Sequence, residues 1–228
     1  MSADWADYRP ADFLLFSGRT YYRLFERCNE AHTAINLALM AAGALVALLL
    51  LLLLRGDARV RRAWPLVLAL AWAWSTWAFV WSLYLPIQWA MRYALPVLAA
   101  HIAILLMIGL RRGMPTPPPP DRIAAGTGWT LIGSAFLLWP AVAPLTGHGW
   151  RSAELFGSAP DPTALASLGF ALMLSGTARW VAGAVPMAWC LFAGATLLTL
   201  GQPAGWWLLA APLLALGASV IERIRAPR

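Results

Sequence analysis

The stretch Ala34–Arg62, AINLALMAAGALVALLLLLLLRGDARVRR, decides the fold. Residues 34–54 carry no charge and one amide, Asn36. A run of that length matches the ~20 apolar residues that a helix needs to cross hydrocarbon. No polar face recurs within it at helical spacing, so it is not the one-sided helix of a soluble surface. It ends in Arg55, Arg59, Arg61 and Arg62, and an arginine-rich loop after an apolar span marks a cytoplasmic edge.

The pattern repeats along the chain, of which 61% is hydrophobic and 12% charged. Crossings are expected near Ala31–Leu54, Trp64–Tyr84, Met91–Leu110, Thr127–Thr146, Pro162–Ala178, Val181–Leu200 and Ala204–Ile221. The expected fold is all-α, a polytopic bundle of about seven transmembrane helices. The fifth is short, and Arg179 leaves only a tight turn before the sixth; a six-helix version is the alternative. Prolines within the spans predict kinks, because neighbouring helices can satisfy the carbonyls they free.

Arginines gather in alternate loops: Arg55–Arg62, then Arg111, Arg112 and Arg122, then Arg179, then the tail with Arg223, Arg225 and Arg228. The positive-inside rule makes these regions cytoplasmic, with the N-terminus outside and the C-terminus inside. The expected division is an extracytoplasmic segment 1–30 with an amphipathic helix from Thr20 to His32, a bundle 31–221 and a cytoplasmic tail 222–228. The PTPPPP run in the third loop reads as a stiff polyproline spacer.

Several classes are excluded or weakened. All basic side chains are arginine, so no lysine can form a Schiff base and a covalent retinal is ruled out. The arginines sit at span edges rather than in one patch, which argues against nucleic acid; the expected partners are the lipid bilayer and other membrane subunits. Cys28 and Cys190 are too few for a disulfide framework. The three histidines, His32, His101 and His148, do not fall at one depth, so a bis-histidine haem is poorly supported. No nucleotide-binding, HExxH or CxxC motif is present, and no catalytic constellation can be assembled.

The candidate site residues lie toward the outer side. Cys28, His32 and Asn36 follow at i, i+4 and i+8, with Asn29 flanking the stripe, and polar groups there face protein or water rather than lipid. Interhelical hydrogen bonding explains them more simply than a metal, which wants three or four ligands. Trp81, Tyr84, Trp89 and Tyr93 have the composition of an interfacial belt, and Arg92 among them is a cation on the side where arginine is disfavoured. Glu154 is a free carboxylate beside Trp150 and Phe156. Asp161 before Pro162 reads as a helix N-cap. The expected cavity gathers Asn29, His32, Asn36, Arg92 and Glu154, walled by Trp81, Trp89 and Trp150, with Arg92 and Glu154 as an ion pair. His101, in mid-span, is expected to hydrogen-bond Ser75, Thr76 or a carbonyl.

Four stretches, DFLLFSGRTYYRLFE, PIQWAMRYA, AELFGSAPDPTALASLGFAL and MAWCLFAGATL, resemble a family of bacterial integral membrane proteins catalogued only as a domain of unknown function. The resemblance spans nearly the whole chain, and ELFGSAPDPTA is its most specific part. It implies a location in the bacterial inner membrane and no particular activity. Three function classes therefore stay open: a solute-handling protein with an outward-facing polar and aromatic site, a non-catalytic subunit of a larger membrane complex, and a lipid- or quinone-modifying enzyme.

Overall fold

The computed structural model describes residues 16–52, 58–111 and 121–225. Residues 1–15 of the expected N-terminal segment, Arg55 of the first loop, Arg112, the proline run and the tail's Arg228 lie outside those residues. The described chain is an all-α bundle of seven helices. These are α1 (Gly18–Leu52), α2 (Ala58–Ser75, running on as a π-helical stretch Thr76–Tyr84), α3 (Met91–Leu110), α4 (Arg122–Gly133, running on through Ser134–Leu138 and Trp139–Leu145), α5 (Pro160–Ala171), α6 (Gly176–Thr199) and α7 (Gly205–Arg225). All but α5 are long and apolar enough to cross a membrane. Their outward faces carry large apolar side chains, among them Leu45, Leu52, Leu137, Leu145 and Leu213. Such a belt has no place in water and fits contact with lipid.

Helix α1 is bent at His32, whose backbone leaves the helical region (φ −134°, ψ 29°). The bend falls where the amphipathic stretch and the first span were expected to meet, and the two form one continuous element. Before it, Tyr21, Tyr22, Leu24, Phe25 and Cys28 pack inward at helical spacing. After it, Leu37, Leu45, Leu48 and Leu52 face outward.

One end of the bundle is tied by charge. The Asp121 carboxylate caps α4 by accepting from the Ile123 amide at 2.9 Å. Glu222 accepts from the Asp121 amide and pairs with Arg179, and Arg225 reaches Asp121 at 3.9 Å. The starts of α4 and α6 and the end of α7 therefore share this end. At the opposite end, Gly18 lies beside Leu200 and Gln202, which join α6 to α7.

The fifth crossing departs from expectation. Helix α5 has 12 residues, about 18 Å at 1.5 Å per residue, too short to span alone. Yet the chain leaves α4 at Leu145, far from the charged end, and returns to that end by Leu172 and Leu174, whose carbonyls accept from Arg179. The run from Trp150 to Leu174 thus traverses the bundle as irregular chain followed by a half-length helix. Nearly every residue from Ser152 to Leu172 is buried, including all twelve of α5. Irregular backbone is tolerated at such depth only where protein surrounds it. Here its polar groups find partners: Asn29 donates to the carbonyls of Arg151 and Ala153, and the Gly157 amide donates to Thr163 Oγ1. Gly157 has φ +85° and sits against Leu39, so only glycine turns the chain here without strain. Gly128 and Gly169 bring the backbones of α4 and α5 into contact, the small-residue packing common between membrane helices.

Candidate functional site: a buried acid pair beside a polar cavity

Asp161 lies in the first turn of α5. The expected N-cap geometry is not formed, because α5 starts one residue earlier, at Pro160, and Ala159 holds the cap position without a side-chain bond. The carboxylate points sideways instead. Its Oδ1 accepts from the Trp189 indole at 2.8 Å and its Oδ2 from the Tyr21 hydroxyl at 3.4 Å. Tyr21 comes from α1 and Trp189 from the middle of α6.

Glu154 stands in the irregular lead-in, 2% exposed. Its Oε2 accepts from the Trp139 indole of α4 at 2.8 Å, and its Oε1 has no hydrogen-bond partner. The Glu154 and Asp161 side chains lie within hydrogen-bond reach of one another. Both acids are outside the six long helices. Both carboxyls are buried, Asp161 1% and Glu154 2% exposed, and two charges at such depth are costly to hold side by side. The phenols of Tyr21, Tyr22 and Tyr84 and the Cys190 thiol complete the titratable surroundings. The ion pairs among the described residues, Arg151–Glu30, Arg179–Glu222 and Arg225–Asp121, lie elsewhere.

A cavity of about 540 Å³ lies between α1 and the chain that leads up to Glu154. Asn29, Glu30, Thr33, Asn36, Leu37, Trp150, Arg151 and Leu155 line it. Asn36 holds its own amide in place: it donates to Asn29 Oδ1 at 3.1 Å and accepts from the Trp74 indole at 2.9 Å. Glu30 and Arg151 pair at 3.6 Å, both well exposed. In sequence Glu154 lies between the Asn29-bound Ala153 and the lining residue Leu155, but is not itself in the wall.

The structure thus brings together Asn29, Asn36 and Trp150 of the expected cavity, with Glu154 outside its lining. His32 is not among the lining residues; its ring stands edge-on to Trp74 at 5.2 Å. Trp81 and Trp89 lie on the exposed surface and do not line the cavity. The expected Arg92–Glu154 ion pair is not formed. Arg92 sits over the rings of Trp89 and Tyr93, at 5.0 and 5.1 Å. Aromatic faces three residues before and one after Arg92 offered a local cation–π contact, whereas Glu154 is drawn into the core by Trp139. His101 is fully buried, edge-on to Trp72 at 5.4 Å, and neither ring nitrogen has a partner. The bond expected from Ser75 or Thr76 is absent, since Ser75 donates to the Trp72 carbonyl.

Tyr21, Trp139 and Trp189 were not anticipated as site residues. The signal was available: tryptophans deep within spans, rather than at their edges, need an acceptor for each indole N–H. Trp139 with Glu154 and Trp189 with Asp161 are that pairing.

No curated protein and no solved structure matches this chain. A family model does, over residues 19–227, and it carries the description "family of unknown function". That match covers both acids, all three donors and every residue of the cavity, and the chain belongs to this family, DUF6064.

Proposed function

We propose that this multi-pass membrane protein handles a small solute through the Asn29–Trp150 cavity, in the bacterial inner membrane, with its N-terminus outside. The supporting observation is the lining of the cavity. Two amides and a Glu30–Arg151 pair face Trp150, Leu37 and Leu155 across about 540 Å³, room for a ligand of metabolite size. Such a wall suits a neutral or zwitterionic molecule with a polar head and an apolar flank. The gathering of Arg122, Arg179, Arg223 and Arg225 near the charged end supports that end being cytoplasmic.

The test is a thermal-shift panel on the protein in lipid nanodiscs, using amino acids, sugars, polyols and quaternary amines. One chemical class should raise Tm in the wild type and fail to do so in Trp150→Ala. Trp150 is 70% exposed, so its loss leaves the fold intact. A panel with no stabilising class, or equal shifts in both proteins, rejects the reading.

A further inference from the structure

We propose that Glu154 and Asp161 together form a proton-binding site, holding one exchangeable proton. The proposal goes beyond solute handling and is tested without any solute, so either can fail alone.

The first observation is the pair's asymmetry. Asp161 has a donor on each oxygen, Trp189 and Tyr21, and stands in the first turn of α5, where the helix dipole favours an anion. Glu154 has one donor, and its Oε1 is buried without a partner. Two ionised carboxylates have nothing to donate to one another. A proton on Glu154 turns Oε1 into a donor facing an acceptor-rich neighbour, which is how buried carboxyl pairs satisfy themselves. The proton therefore belongs on Glu154 and the charge on Asp161.

A second observation lies outside the pair. The Tyr22 hydroxyl, on a side chain 1% exposed, lies near Thr146 and within electrostatic range of Glu154, and makes no well-formed hydrogen bond. The groups facing the pair are Tyr21 and Tyr22 from α1, Tyr84 from the end of α2, Trp139 from α4, and Trp189 and Cys190 from α6. Each of these is neutral while the phenols and thiol stay protonated, so the pair's one negative charge is held by donors alone. A second charge would lack compensation, which makes the proton count sensitive to pH.

A hydrophobic carbodiimide probes the proton directly. A protonated carboxyl adds across one C=N bond: its oxygen bonds the central carbon and its proton passes to nitrogen. The adduct then rearranges to a stable acylurea of the summed mass, with no leaving group. In nanodiscs, Glu154 should be labelled by dicyclohexylcarbodiimide, read by peptide mass, with a yield that falls as pH rises from about 5 to 9. Glu154→Gln should abolish that label. Asp161→Asn removes the anion that holds the proton, so the midpoint should move to lower pH by about one unit, a tenfold change in proton affinity. Infrared difference spectra give a second readout: a protonated-carboxyl band should fade over the same pH range in the wild type and be missing in Glu154→Gln. A carboxyl band indifferent to pH, or labelling confined to other acids, overturns the proposal.

Discussion

Gly128 and Gly169 meet backbone to backbone: a Cβ on Gly169 would stand 2.5 Å from the Gly128 carbonyl oxygen. This contact presses α5 against α4 and sets where the Asp161 end of α5 lies relative to Trp139. Gly169→Ala should lower stability by about 1–3 kcal/mol, the usual effect of overpacking. The loss should appear as a lower Tm in detergent, and the Gly128→Ala, Gly169→Ala double variant should lose less than the sum, because both changes open the same contact.

Removing an indole donor tests the acid pair's wiring. Trp189→Phe leaves Asp161 Oδ1 buried without a donor, and should lower stability by about 1–3 kcal/mol. Trp139→Phe should act similarly through Glu154. Adding Asp161→Asn to Trp189→Phe should recover part of the loss, since a neutral amide tolerates the missing donor better than a carboxylate. A chemical-denaturation cycle with no coupling would contradict the 2.8 Å bond.

Stability should depend on pH in a stated direction. The proposed proton on Glu154 is held to higher pH than on an unfolded glutamate, because Oε1 is buried with no donor to an ionised form. The contribution is full below the unfolded value and is lost as pH climbs through the folded one. Tm should therefore decline from about pH 5 toward 8, and the decline should flatten in Glu154→Gln, whose amide oxygen can still accept from Trp139.

Arg92 and Glu154 should behave as strangers. Arg92→Ala loses an exposed cation–π contact of about 0.5–1 kcal/mol, and its effect should add to that of Glu154→Ala without coupling. Arg179 contrasts with it. Its guanidinium holds Glu222 and the carbonyls of Leu172 and Leu174, so Arg179→Ala should lower stability by about 1–3 kcal/mol and couple strongly to Glu222→Ala.

Six helices long and apolar enough to cross a membrane were legible because an uninterrupted apolar run is a strong signal that needs no partner to interpret. The fifth was legible only as short. Its first half is written in glycine, proline and acid, which read as loop wherever they occur, and only the surrounding helices turn that loop into core. Glu154 stood out as an unexplained carboxylate, but its partner could not be read, since the contact with Asp161 depends on the reversal at Gly157 and on donors from three other helices. Arg92 was misread for the opposite reason: its partners, Trp89 and Tyr93, were adjacent in sequence, and a distant acid was preferred to them.

The Trp150–Leu174 traverse has a bearing on how the chain is built at the ribosome. It carries Arg151, Glu154 and Asp161 on backbone that is helical only from Pro160, so it has no means of entering lipid by itself. Trp189, which holds Asp161, is synthesised later, in α6, and Arg179, which fastens the C-terminal end of α5, later still needs Glu222 of α7. The fifth crossing is therefore expected to settle only after the next two helices arrive. In chains truncated before Trp189, protease should still reach the run around the acid pair, and protection should appear once α6 and α7 are present.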